Sequence, residues 1–217
     1  MARRTKAEAE ETKSRILDAA EKLFFELGVT QTSLERIAEE ANVTRGAIYW
    51  HFADKIELFQ AMHQRVRLPQ EDIILNTANE GHPDPLRFLE DIAIDCVHTL
   101  ASDTRMQHVY TILLMRCEYV GDMTQALERQ KQASEKMSLH IAQLFRMAHM
   151  KKQLAQNWTP ETAAHVFGAM MRGLWADWLT FGREFGLVEV GTRSITELFA
   201  SMRAKQTAAA PALAQHS

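Results

Sequence analysis

Apolar side chains along most of this chain recur every three or four residues, the period of an amphipathic α-helix. The five prolines fall where such a pattern starts, stops or has already ended, so they interrupt no periodic stretch apart from one candidate kink at Pro69. The pattern therefore predicts an all-α protein. Nine helices are expected, at residues 10–27, 33–40, 45–52, 55–80, 85–101, 104–117, 122–151, 160–182 and 192–205.

The first helices carry local start and stop signals. Gly28 supplies a left-handed stop, and Thr32 can cap the second helix while Glu35 reaches back to the cap. Thr44 can cap a third helix after the short turn at residues 41–43, and Asp54 can cap a fourth. Two short helices joined by a tight turn are typical of a helix-turn-helix, but also of an αα-hairpin with no role in DNA binding.

The outward positions of the third helix favour DNA binding. Ile48 and Phe52 lie four residues apart and are expected to face the core. Five residues remain for the other faces: Arg45, Gly46, Tyr49, Trp50 and His51. Phosphates and base edges offer partners to an exposed phenol, indole and imidazole, and glycine allows close approach of another surface.

Lys55 stands in the first turn of the fourth helix, where a cation opposes the helix dipole unless an anion is near. A DNA phosphate would supply that anion. A solvated lysine beside an exposed cap is the alternative interpretation.

Residues 44–52, followed by Lys55, resemble the recognition helix of the TetR family, and in particular the AcrR-type branch that controls multidrug efflux pumps. The likeness is strongest over residues 1–62 and returns more weakly at 84–86, 112–118 and 173–178. It implies that Arg3, Arg4 and Lys6 form a basic arm. It also implies DNA contacts by Thr32, Ser33, Thr44, Arg45, Gly46, Tyr49, Trp50, His51 and Lys55.

The same resemblance implies an inducer cavity for an apolar small molecule in the later helices. The matching positions are Val66, Gln70, Ile92, Cys96, Tyr110, Leu114, Met137, Ile141, Met171, Arg172 and Trp175. Each of them can instead be ordinary core packing. Arg172 can also point to solvent or to Asp177, although it interrupts an apolar run.

The helix at 160–182 is apolar on more than one face, which favours two packing partners. One would be its own domain and the other a second protomer, forming a four-helix bundle with the helix at 192–205 through Leu198, Phe199 and Met202. A dimer would place two recognition helices about 34 Å apart on a palindromic operator. A helix buried within a monomer is the alternative.

Charge and motifs restrict the function further. The 217 residues carry 25 Lys and Arg against 28 Asp and Glu, and residues 1–68 are balanced at 11 of each sign, unlike a polycationic architectural protein. Metalloprotease, serine-hydrolase, phosphate-loop and dinucleotide motifs are absent from the sequence, so we expect neither catalysis nor a metal or cofactor. Two cysteines, with neither a signal peptide nor a spanning segment, favour a cytoplasmic protein.

The sequence thus predicts a ligand-released repressor in three parts. Residues 1–53 would read operator DNA as a homodimer, residues 54–205 would bind ligand and dimerise, and residues 206–217 would form a disordered tail. The resemblance favours an efflux operon, and a metabolic or stress operon with another ligand is the alternative.

Overall fold

The computed structural model describes residues 6–204, the side chain of residue 122 excepted, and there the chain is all-α with no named strand. Arg3 and Arg4 of the predicted arm, and the predicted tail, lie outside this range. Ten α-helices are formed: α1 Lys6–Leu27, α2 Leu34–Glu40, α3 Arg45–His51, α4 Lys55–Gln64, α5 Pro69–Glu80, α6 Pro85–Ser102, α7 Thr104–Thr111, α8 Thr124–Met150, α9 Pro160–Thr180 and α10 Leu187–Met202. A π-helical turn, Ile112–Arg116, continues α7, and a 3-10 turn, Gly121–Met123, precedes α8.

The described part of the chain has ten α-helices rather than nine because the predicted helix 55–80 is two helices. Arg65 ends α4, and Leu68 is extended (φ −71°, ψ 130°) before Pro69, which occupies the first turn of α5. A proline disfavours the helical conformation of the residue before it, so Pro69 starts a helix instead of kinking one.

The cap of α2 also differs from the prediction. Ser33 is the N-cap and accepts a hydrogen bond from the N–H of Arg36 at 3.3 Å. Thr32 is only 1% exposed, and its hydroxyl lies 2.8 Å from the carbonyl of Gly28 and 3.3 Å from that of Leu23. The Thr32 hydroxyl is therefore bonded to carbonyls at the C-terminal end of α1, and Ser33 caps α2 instead.

Other local predictions are confirmed. Gly28 adopts φ +86°, a left-handed conformation that glycine tolerates. Thr44 caps α3 by accepting from Ala47, and Asp54 caps α4 by accepting from the N–H of Glu57 at 2.7 Å. These caps fix where α3 and α4 begin.

The first four helices enclose a common core. Ile48 and Phe52 are buried, as their spacing predicts, and α3 packs against both α1 and α2. Phe24 of α1 lies 6.2 Å from Phe59 of α4, measured between ring centroids. Because α1 also packs against α7 and the π-helical turn, it belongs to the cores of both halves of the molecule.

The later helices form a second layered core in which α6 packs on α10 and α8, and α8 packs on α9. Phe145 stacks on Phe199 with centroids 6.2 Å apart, and Phe167 meets Phe199 edge-on at 5.5 Å. Phe199 and Met202 are both 0% exposed in the protomer. Their predicted contact with a second protomer is therefore wrong, because they fill this core instead.

Helices α6 and α10 approach closely at Gly191. A Cβ added there would lie 3.0 Å from Cγ1 and 3.2 Å from Cγ2 of the buried Val97. Glycine thus lets α10 sit against α6 without a gap.

We expect Gly191→Leu to lower the free energy of unfolding by about 1–3 kcal/mol, because the added side chain overpacks the α6–α10 contact. Urea denaturation at fixed protein concentration measures this change. Gly46→Leu is the matched control, since a Cβ on this exposed helical glycine meets nothing closer than Thr44 Oγ1 at 3.9 Å. The control should gain up to about 1 kcal/mol from helix propensity. Equal stability of the two variants would contradict the close approach.

Candidate DNA-binding surface and effector pocket

Helix α3 presents aromatic side chains to solvent. Trp50 is 71% exposed and Tyr49 is 46% exposed, whereas Ile48 beside them is fully buried. The ring of half-buried His51 meets Trp50 edge-on, with centroids 4.5 Å apart. This helix therefore carries a rigid apolar side and an outer face of groups that can hydrogen-bond.

Arg45 is held between α2 and α3. Its guanidinium pairs with Glu35 at 3.0 Å, donates to the Tyr49 hydroxyl at 3.3 Å and lies 5.5 Å from the centre of the Tyr49 ring. The Tyr49 hydrogen bond and Glu35 raise the pKa of Arg45. The pKa of Glu35 is lowered by its own backbone N–H, then by the Ser33 hydroxyl and Arg45. These exposed contacts orient Arg45 outward before any ligand binds.

The remaining residues of the predicted DNA surface divide into two groups. Ser33, Thr44 and Gly46 are exposed beside α3 and stay predicted contacts. Thr32 is buried, so its predicted phosphate contact is wrong for its side chain. Lys55 is half-buried, and its ammonium donates to the carbonyls of Val29 and Thr32.

A second group of functional side chains lies between α4, α5, α6, α7 and α9. Tyr110 and Trp175 meet edge-on with ring centroids 5.0 Å apart, and His63 lies 6.0 Å from Tyr110 on its other side. Glu71 and Cys96 are close enough to raise the pKa of Tyr110, after burial, which is the main cause. We call this group the aromatic cluster.

Two side-chain atoms at predicted pocket positions lack partners among the described residues. The indole N–H of Trp175 and the side-chain oxygen of Gln70 are buried and make no hydrogen bond. A buried donor or acceptor without a partner is costly. The cluster thus offers a donor, the Trp175 N–H, to a guest molecule, and Gln70 on α5 carries an unpaired acceptor directly before Glu71.

The structure places the other predicted pocket residues unevenly. Val66 and Cys96 are buried, and four more are partly buried against the core: Ile92, Met137, Ile141 and Met171. Leu114 is 48% exposed and Arg172 is exposed, with its guanidinium alongside Gly168 of its own helix. Both side chains are thus exposed to solvent in the protomer.

Sequence reasoning missed His63 and Glu71. His63 lies three residues before Val66, and Glu71 follows Gln70 directly, so proximity to predicted residues was the available signal. Burial lowers the pKa of His63, and Glu71 opposes this shift. The imidazole is therefore held toward its neutral form.

Ion pairs join the two halves of the molecule beside α1. Asp18 pairs with Arg65 at 2.7 Å and with Arg105 at 3.1 Å, and Glu21 lies 3.4 Å from both Arg105 and His108. All of these residues except Arg65 border a surface cavity of about 370 Å³. A second cavity, of about 480 Å³, lies between α4 and the start of α8 and is lined by Thr30, Asp54, Lys55, Ile56, Val120, Met123 and Gln125. Both are distinct from the aromatic cluster.

Thiol and metal chemistry find little support in the described residues. Burial raises the pKa of Cys96 to about 12 and that of Cys117 to about 11, so both thiols are unreactive near neutral pH. Within residues 6–204 no group of three or more His, Cys, Asp or Glu side chains is placed to hold a metal ion. None of the described helices is both long and apolar enough to cross a membrane.

Comparison with known proteins accounts for both parts of the chain. Residues 16–62 match the family described as bacterial regulatory proteins, tetR family. Residues 84–203 match the C-terminal region of MAATS-type transcriptional repressors. The two matches cover the helix-turn-helix and nearly all of the later helices.

Individual relatives of this chain are also repressors. The chain is 45% identical over 203 residues to the HTH-type transcriptional repressor BepR of Brucella suis, which covers 93% of this chain and 97% of that protein. NalD, the secondary repressor of the MexAB-OprM multidrug efflux pump in Pseudomonas aeruginosa, has 36% identity and a TM-score of 0.82, covering 91% of this chain and 98% of NalD. A complex of triclosan with SmeT, a multidrug efflux pump repressor of Stenotrophomonas maltophilia, has 27% identity and a TM-score of 0.80, covering 95% and 98%. The chain belongs to the TetR family and is a transcriptional repressor.

Proposed function

We propose that this repressor controls a multidrug efflux operon, binds its operator as a dimer and is released by apolar small molecules. The observation that carries the proposal is the presence of two separate sites: an exposed aromatic face on α3 and a buried aromatic cluster with an unpaired indole N–H. NalD and SmeT are repressors of multidrug efflux pumps, which supports the choice of operon. Residues 1–53 would form the DNA-binding domain and residues 54–205 the ligand-binding and dimerisation domain.

Operator recognition is assigned to α3. Its short length and exposed outer face suit insertion into the major groove, where Arg45, Tyr49 and Trp50 can reach base edges or phosphates. The charge of residues 1–68 is balanced, so affinity depends on these focused contacts and on their repetition in a dimer. A regulator of this kind needs no catalytic chemistry and works in the cytoplasm, where the operator is.

Dimerisation is assigned to the outer faces of α9 and α10. The side of α9 that its own protomer leaves open carries small residues, Ala169, Gly173 and Ala176, and a Cβ at Gly173 would meet nothing within 4 Å. Small side chains let a partner helix approach closely. Leu198 of α10 is half-buried and remains available to that partner, whereas Phe199 and Met202 are not.

The inducer would occupy the aromatic cluster. Tyr110 and Trp175 offer ring surfaces, and the unpaired Trp175 N–H and Gln70 oxygen offer one hydrogen bond of each sense. The Arg172 and Leu114 side chains stay predicted ligand contacts, but their exposed positions do not support them. An apolar molecule with a hydroxyl group, such as triclosan, fits this chemistry.

Helix α4 is the proposed lever between the two sites. It begins with Lys55 beside the helix-turn-helix and carries His63, its penultimate residue, in the aromatic cluster. A ligand that prefers one position of α4 shifts the population toward that position. Release follows when the two copies of α3 no longer match successive major grooves.

Operator binding tests the DNA-reading part. We expect Trp50→Ala to weaken binding to a duplex from upstream of the protein's own gene by about 1–3 kcal/mol, because a base-edge or backbone contact is lost. Fluorescence anisotropy at fixed salt measures the affinity. Met150→Ala is the matched control, since Met150 is 73% exposed at the far end of α8. Wild-type affinity in the Trp50 variant would contradict the assignment of α3.

Inducer release tests the ligand-binding part. We expect triclosan to dissociate the wild-type protein from this duplex, and Trp175→Ala to require about tenfold more of it, because a buried aromatic surface is lost. The variant's affinity for DNA without triclosan should be unchanged. Met150→Ala, at an exposed position at the end of α8, should respond like the wild type, and an equal response of all three proteins would place the inducer elsewhere.

Acid should destabilise the fold through His63. Because its folded-state pKa is lowered from 6.5, the unfolded chain takes up this proton first, and stability is lost as the pH falls below about 6.5. Urea midpoints between pH 7.5 and 5.5 should therefore fall less in His63→Gln than in the wild type. His98→Gln, at an exposed position on α6, is the control and should keep the wild-type slope. Parallel curves for His63→Gln and the wild type would contradict the burial argument.

A further inference from the structure

Lys55 is bound to the turn that connects α1 and α2. Its ammonium donates to the carbonyl of Val29 at 3.0 Å and to that of Thr32 at 3.1 Å, across 26 and 23 residues of chain. Two of its three N–H groups are thus committed within the protein. These carbonyls lie just beyond the C-terminal end of α1, where a cation is favourable, so the lysine at the start of α4 has a favourable partner without DNA.

The turn that Lys55 holds is anchored from two other sides. The N–H of Val29 donates to the carbonyl of Arg116, at the end of the π-helical turn, at 2.8 Å. The Thr32 hydroxyl is bonded to the carbonyl of Gly28. Val29 is fully buried, so this turn joins α1, α4 and the ligand-binding domain at one point.

Lys55 also faces the junction between the domains. It lines the 480 Å³ cavity together with Val120, Met123 and Gln125, which belong to the ligand-binding domain. Its charge acts to lower the pKa of the Cys117 thiol, against the effect of burial. Both observations place the ammonium on the side of the turn that meets the ligand-binding domain.

The residues that follow Thr32 connect the α1–α2 turn to α3. Ser33 caps α2 directly after Thr32, and Glu35 in the first turn of α2 pairs with Arg45 of α3. A displaced turn therefore moves α2, and with it the residue that positions Arg45.

We propose that Lys55 is a positioning residue that fixes the α1–α2 turn, and through it α2 and Arg45, rather than a ligand of an operator phosphate. The proposal rests on the proposed DNA-binding function and revises one member of its predicted surface.

The salt dependence of DNA affinity distinguishes a positioning role of Lys55 from a direct contact with an operator phosphate. A lysine that neutralises a duplex phosphate contributes about 0.9 to the slope of log affinity against log salt, and arginine replaces it readily. A positioning lysine changes affinity without changing the slope. The partly enclosed site between two carbonyls suits a compact ammonium better than a planar guanidinium.

The test compares Lys55→Met and Lys55→Arg with the wild type. Lys22→Met is the control, because it removes the same charge from an exposed pair with Glu40. Anisotropy is measured over a series of salt concentrations on the upstream duplex and on a random-sequence duplex. Hydrogen exchange of residues 28–33 is measured without DNA, and thermal unfolding checks the fold. If Lys55→Met fails to fold, Lys55→Gln replaces it.

Both Lys55 variants should bind the upstream duplex about tenfold more weakly or worse, with the wild-type slope, and should exchange faster at residues 28–33. Binding to the random-sequence duplex and its slope should be unchanged, and Lys22→Met should behave like the wild type. A slope reduced by about 0.9 per protomer in Lys55→Met and restored in Lys55→Arg would overturn the proposal. Unchanged exchange at residues 28–33, or wild-type affinity of Lys55→Met, would also overturn it.

If the proposed operator-binding function is wrong, the same experiment gives a different result. The wild-type protein would then show no preference for the upstream duplex over the random-sequence duplex. Hydrogen exchange and the salt slope on the random-sequence duplex would still decide the role of Lys55.

Discussion

Helix α1 is shared between two cores, and the rest of the structure depends on this sharing. One side of α1 packs through Phe24 on α4, and another meets α7, where Phe25 lies 4.5 Å from the His108 ring. The α1–α2 turn is hydrogen-bonded to Arg116. The DNA-reading helices therefore cannot tilt without disturbing contacts made to the ligand-binding helices, because packed interiors deform little.

This sharing explains how a small molecule can act at a distance in the proposed mechanism. The aromatic cluster includes His63 of α4, and the same helix starts at the α1–α2 turn through Lys55. The π-helical turn that follows α7 ends at Arg116, whose carbonyl accepts a hydrogen bond from the N–H of Val29. Two elements, α4 and α7 with its π-helical turn, thus connect the aromatic cluster to the α1–α2 turn. The position of this turn therefore depends on both elements.

Much of the fold could be predicted because its signals are local. The caps at Thr44 and Asp54 and the buried pair Ile48 and Phe52 follow from spacings of three or four residues. The outward aromatic face of α3 follows from the same spacing.

The features that could not be predicted depend on residues distant in sequence. Thr32 and Ser33 can each cap a helix, and packing at the end of α1 decides between them. Lys55 finds its carbonyls 23 and 26 residues away. Apolar periodicity shows that Phe199 is buried but not whether its partner is in the same protomer or another, and three-dimensional packing alone identifies Phe145 and Phe167.

The ion pairs between α1 and the ligand-binding half have a consequence for how the protein responds to its surroundings. Asp18 and Arg105 are each about half exposed (48% and 47% side-chain exposure), so dissolved ions screen their attraction. The same ions compete for the phosphates of DNA. Raised ionic strength therefore weakens both the attraction of the protein for DNA and the ion pairs that join its two halves.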